Sequence, residues 1–186
     1  MISNRRLQFG TSLIEVLVTV IITSIGLLGL VGLQSRMQVS EVESYQRSQA
    51  LILLNDMASR IETNRRFAAS YVTVNPIGVG MTCPTTTVNS TRAAIDEAQW
   101  CVALQGAAEI SNNAKAGAMI GGRGCVESLP SNQYLVTVAW QGQLPVSAPP
   151  QSVACGRNLY NTSGTNCTQD LCRRVITTVV QIATLN

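Results

Sequence analysis

The sequence predicts an α+β fold: a long N-terminal α-helix, membrane-spanning in its first half, packed on a small antiparallel β-sheet with disulfide-pinned loops. Three observations carry this. Val16–Leu33 run for eighteen residues without a charge. Residues 133–142, QYLVTVAWQG, alternate with the period of two that sends successive side chains to opposite faces of a strand. All six cysteines (Cys83, Cys101, Cys125, Cys155, Cys167 and Cys172) lie beyond residue 80. An even set confined to one part of a chain reads as a disulfide framework in an oxidising compartment.

The apolar run is long enough to cross a bilayer core of about 30 Å as a helix. Arg5 and Arg6 precede it, and basic residues on a short N-terminal side hold that end in the cytoplasm. The body then lies on the far side of the inner membrane, in agreement with the cysteines. A cleaved secretory signal would need a shorter apolar core and a small-residue cut site, whereas Gln34, Ser35, Arg36 and Met37 follow this one. Glu15 stands at the leading end of the run, and a carboxylate inside a membrane segment marks function by default. Gly26, Gly29 and Gly32 each weaken a helix by about 1 kcal/mol relative to alanine. They serve either close helix packing or a hinge that lets residues 24–33 stretch; the sequence leaves both open.

From Gln34 to about Ala69 the helical pattern continues, with Met37, Tyr45, Leu53 or Leu54, Met57 and Ile61 recurring at helical spacings. Joined to the first segment this predicts one helix of roughly 55 residues, about 80 Å at 1.5 Å per residue. Its charges, among them Glu43, Asp56 and Arg60, read as a solvated face. Asn75-Pro76, Gly78 and Gly80 end the helical region. A short helix is expected around Ile95–Ile110, and GAMIGGRGC (117–125) reads as a flexible turn. That turn lacks the G-K-[ST] of a phosphate loop. Strand 133–142 pairs antiparallel with the β-branched run 173–185, across a 30-residue excursion at 143–172 holding three cysteines. Excursions of that length are often functional. A third strand comes from 79–90 or 124–129, because an isolated pair is marginal. Tyr134, Val136, Val138 and Trp140 fall on one face of the first strand, and Leu135, Thr137 and Ala139 on the other.

Composition removes several classes. Net charge is only +3 and the bases are scattered, which argues against nucleic acid, as does an aromatic content of 4%. Histidine is absent, so no His triad, His metal site or imidazole shuttle is available. Without histidine or a C-x-x-C pair neither a zinc site nor thiol redox catalysis is indicated, and no cofactor is implied. Fifteen pairings of six cysteines are possible and the sequence does not choose. Cys83 with Cys101 is the first expectation, and Cys125 is the candidate partner for a cysteine of the excursion.

FGTSLIEVLV, residues 9–18, behind a short basic leader, resembles the processing site of type IV pilins and their relatives. The resemblance implies removal of leader 1–10 by a prepilin peptidase, which cuts between Gly10 and Thr11. It implies N-methylation of Thr11 and an assembly role for Glu15, fifth in the mature chain. The usual first mature residue is phenylalanine, and Thr11 replaces it here. Glu15 and the Thr11 amine of an adjacent subunit would offset each other's desolvation in a dry filament core. GLLGLVGLQ (26–34), VTVAWQG (136–142) and the ending LCRRVITTVV from Leu171 are similar to the type IV pilus modification protein PilV family of minor pilins. That family implies the type IV pilin fold: residues 11–33 as transmembrane and filament-core helix, 34–69 as its amphipathic second half, and 70–186 as a periplasmic or extracellular body. It implies other minor pilins, the major pilin and a large tip adhesin as partners, in priming pilus assembly, adhesion and twitching motility. Location would be the inner membrane first and the pilus surface afterwards.

Two rival classes stay open. A minor pseudopilin of type II secretion shares the N-terminal motif, though such chains are usually shorter and poorer in cysteine. A signal-anchored periplasmic enzyme, or a ligand-binding module on 143–172, is the other; no nucleophile–base constellation supports the enzyme.

Overall fold

A computed structural model describes residues 12–107, 110–111, 114–115 and 119–183. The chain forms two compact units, Met1–Glu41 and Val42–Asn186. Helix α1 covers Leu13–Thr63, 51 residues. Beyond Gly32 it contains neither glycine nor proline, so nothing interrupts its hydrogen-bond ladder. It stops at Thr63 rather than near Ala69, because Asn64 leaves helical geometry (φ −106°, ψ 37°). The chain then tightens into a 3-10 helix, Arg65–Tyr71, with a kink at Phe67 (φ −117°, ψ 25°). The tighter turn carries the Tyr71 hydroxyl to 2.7 Å from Asp96 Oδ2.

Helix α2 spans Arg92–Leu104, starting and stopping earlier than 95–110. Thr91 caps its start, Oγ1 accepting from Ala94 N at 3.2 Å. At its end Gly106 takes φ 84°, with Gly106 N bonded to Ala103 O and Ala107 N to Val102 O. That double closure is the Schellman motif, and it needs a residue at ease in the left-handed region.

The strands are β1 (Ile77–Gly78), β2 (Ile110–Ser111), β3 (Ala114–Lys115), β4 (Arg123–Leu129), β5 (Gln133–Gln141) and β6 (Arg173–Gln181). β2 pairs antiparallel with β3. The main sheet is antiparallel in the order β1-β4-β5-β6. The third strand thus comes from 123–129 and not 79–90, and the presumed turn 117–125 gives its last three residues to β4. Gly124 explains why a glycine-rich stretch can be a strand here: a Cβ would lie 2.3 Å from Trp100 Cη2, so its absence seats the indole against the backbone.

One face of the sheet is covered by helices. Ala50, Leu54, Met57 and Ile61 of α1, and Trp100, Cys101 and Leu104 of α2, form one buried cluster with Val126, Tyr134, Val136, Val138, Trp140 and Val180. The buried stripe of α1 is Gln46, Ala50, Leu54, Met57 and Ile61. Tyr45, expected on that stripe, is instead 47% exposed, because a 3.6-residue period carries the seam through the smaller Ala50. Trp100 Nε1 donates to Leu53 O at 2.9 Å, so α2 is tied to α1 by a polar bond inside an apolar contact.

The other face is also buried, which simple alternation did not foretell. Thr137 and Ala139 are both 0% exposed. Ala139 packs with Cys125, Cys155, Tyr160 and Val175 in a second cluster built by the excursion. The excursion is closed at its base: Gly142 N donates to Cys172 O and Val146 N to Leu171 O, both at 2.8 Å. Arg174 spans the same gap, donating to Leu144 O at 2.6 Å, Leu171 O at 3.1 Å and Glu43 Oε1 at 3.3 Å.

Candidate functional site

In the first unit, Gly10 and Thr11 lie outside the described residues. Glu15 sits in the first turn of α1 with an exposed side chain, its N–H donating to Ser12 O at 2.9 Å. From Leu13 to Leu33 the apolar side chains are exposed all round the helix: Leu13 91%, Ile21 50%, Leu28 73% and Leu33 57%. An all-round apolar surface is what a membrane span or a helix-bundle core requires. The hydroxyls in the run turn inward to the backbone. Thr19 Oγ1 donates to Val16 O (2.8 Å), Thr23 Oγ1 to Thr19 O (2.7 Å) and Ser24 Oγ to Val20 O (2.7 Å). Each polar group is thereby satisfied within its own helix, which a water-free surrounding demands. A Cβ at Gly26, Gly29 or Gly32 would meet nothing within 4 Å, so no contact inside the described chain accounts for these glycines. By length and composition α1 can cross a membrane.

In the second unit, the polar centre is Asp96, 1% exposed. Arg60 Nη1 donates to Asp96 Oδ1 at 2.7 Å and to Gln99 Oε1 at 2.8 Å, while Arg60 Nε reaches both oxygens of Asp56 at 3.0 Å. Arg92 Nε donates to Asp96 Oδ2 at 3.1 Å. The Tyr71 hydroxyl donates to the same oxygen and accepts from Asn64 Nδ2 at 3.1 Å. Asp56 and Arg60, which read as a solvated face, thus lock α1, the 3-10 turn and α2 together. Burial, reinforced by the bond to Asp96, raises the Tyr71 hydroxyl above its ordinary range. Burial works against the Arg60 charge, but hydrogen bonds to Asp56 and Asp96 outweigh it and leave the guanidinium above its ordinary value. No sequence spacing announces this hub; Arg60 and Asp96 are 36 positions apart.

The cysteines form three bonds, Cys83–Cys101, Cys125–Cys155 and Cys167–Cys172, and none is free. The first fastens the loop after β1 to α2. The second fastens the excursion to β4, and the third closes a small ring inside the excursion. Arg173, 2% exposed, donates through Nη1 to Val153 O and Cys155 O at 2.9 Å, with Nε 3.2 Å from Asp170 Oδ2. The Tyr160 hydroxyl donates to Gly121 O at 2.9 Å. These polar groups are consumed in holding the loop. Among the described residues no cluster of three or more His, Cys, Asp or Glu side chains could hold a metal ion.

Comparison with known protein families, curated proteins and solved structures finds no match to this chain.

Proposed function

We propose that the chain is a minor pilin of a type IV pilus, a structural subunit that joins other minor pilins to prime assembly and support an adhesin-bearing tip. The observation that carries this is the division of labour along α1. Its first part is apolar on every side, hides its hydroxyls in its own backbone and keeps one carboxylate, Glu15, at its start. Its second part buries a narrow stripe against a disulfide-bearing sheet. One helix thus suits lipid, then a filament core, and finally a folded head, as in the α+β pilin architecture. In this reading the prepilin peptidase cuts after Gly10, the Thr11 amine is methylated, and Glu15 pairs with that amine on a neighbouring subunit.

Mass spectrometry of the mature N-terminus tests it: the chain should begin at Thr11 and carry one methyl group, and any other start overturns the reading. Deletion should abolish surface pili and spare exoprotein secretion. Loss of secretion with intact pili would point to the pseudopilin instead.

A further inference from the structure

The sheet ends differently at its two edges. On the β4 side the outward main-chain groups from Gly122 to Val126 are occupied. Thr73 N donates to Val126 O and Val126 N to Thr73 Oγ1, both at 3.0 Å. Val79 N donates to Gly122 O at 2.9 Å, and β1 pairs with Arg123 and Gly124. On the other side stands β6, nine residues long.

The phase of its pairing follows from two flanking bonds. Gly142 N donates to Cys172 O and Ile182 N to Asn132 O, and both couples lie on the β5–β6 register. Hydrogen-bonded couples alternate with non-bonded ones along an antiparallel pair. Arg174, Ile176, Thr178 and Val180 therefore bond to β5, while Val175, Thr177 and Val179 turn their N–H and C=O groups away from it. Among the described residues no hydrogen bond reaches those outward groups. Thr177 is exposed and Val179 is 50% exposed. From Val175 to Ile182 there is no charge and no proline, the devices by which sheet edges are ordinarily protected from pairing.

We propose that β6 is a docking edge for an extended strand donated by a different polypeptide, which lengthens the sheet by one strand. Main-chain donors and acceptors repeating along Val175, Thr177 and Val179 match another extended backbone and no smaller ligand. The uncharged edge calls for an uncharged, alternating partner strand, with apolar side chains meeting half-buried Ile176 on one face and Val179 on the other. A second copy is the wrong occupant. Antiparallel self-pairing places a two-fold axis across the sheet and so reverses the direction of residues 42–63, which pack on its face. In the pilin reading all heads of one filament point the same way, so two copies cannot pair antiparallel. This exclusion rests on that reading, which the N-terminal mass measurement tests separately.

The test has two arms on the full-length chain. In detergent micelles, amide hydrogen exchange should show Val175, Thr177 and Val179 exchanging at least tenfold faster than Ile176, Thr178 and Val180. Equal protection of both sets overturns the proposal, because the edge would already be covered. In the cells that make the chain, a photo-cross-linking residue at Val179 should join it to another protein, with the contact mapped to an uncharged segment of alternating pattern. The variant Thr177→Pro removes one outward N–H group and leaves position 179 to carry the cross-linker. It should keep the exchange protection at Ile176 and Val180 and lose the adduct at least tenfold. An adduct with a second copy, an adduct with lipid, no adduct, or an adduct that survives the proline overturns it.

Discussion

The two faces of the sheet are buried by opposite means. One is covered by α1 and α2, whose backbones satisfy themselves and so present only side chains: Leu54, Met57, Ile61, Trp100, Leu104. The other is covered by a loop of turns, whose backbone needs partners from elsewhere. There the apolar cluster is small, and much of the fastening is the Cys125–Cys155 bond, the Tyr160 hydroxyl on Gly121 O and the buried Arg173 guanidinium on Val153 O and Cys155 O. Helices can cover a sheet with bulk alone; a loop cannot, because every buried peptide group in it must first be hydrogen-bonded.

The comparison breaks if the two covers respond alike to damage. Trp100→Ala opens a cavity beside Gly124 and removes the bond to Leu53 O, so it should cost about 3–5 kcal/mol in denaturant unfolding. A loss below that of the next variant would contradict the primacy of the helical cover. Replacing Cys125 and Cys155 together with serine should cost about 3 kcal/mol. Amides of 143–172 should then exchange faster, while those of Val136 and Val138 stay protected; equal loosening of both would unite the faces. The smallest effect concerns Glu97 on α2, where burial raises the carboxyl above its ordinary 4.5. The folded chain then gains from protonation below the unfolded value and loses that gain as pH rises through the folded one. Glu97→Gln should therefore raise the urea midpoint slightly at pH 7 and leave it unchanged near pH 4. The same change at both values would show that ionisation of Glu97 is not the cause.

What the sequence disclosed was periodic. Residues 13–63 carry an unbroken helical pattern, and the antiparallel partnership of β5 with β6 follows from two β-branched runs. The end of α1 at Thr63 was hidden, because Asn64 and Phe67 bend the chain for the sake of Tyr71 and Asp96, far along the sequence. The bounds of α2, expected at 95–110, were missed: Thr91 caps its start and Gly106 takes a left-handed turn at its end. The second buried face was not, because alternation reports which face is apolar and not whether a loop returns to cover the other. Of the candidate site, Glu15 is placed in the first turn of α1, while Gly10 and Thr11 lie outside the described residues.

The disulfides carry one more consequence. They join the cysteines strictly in order of appearance, first to second, third to fourth, fifth to sixth. Of the fifteen possible pairings only this one is reached by linking each new thiol to the last one left unpaired. A chain whose cysteines reach an oxidase in sequence order can therefore acquire its native bonds as it emerges, with no later round of thiol–disulfide exchange.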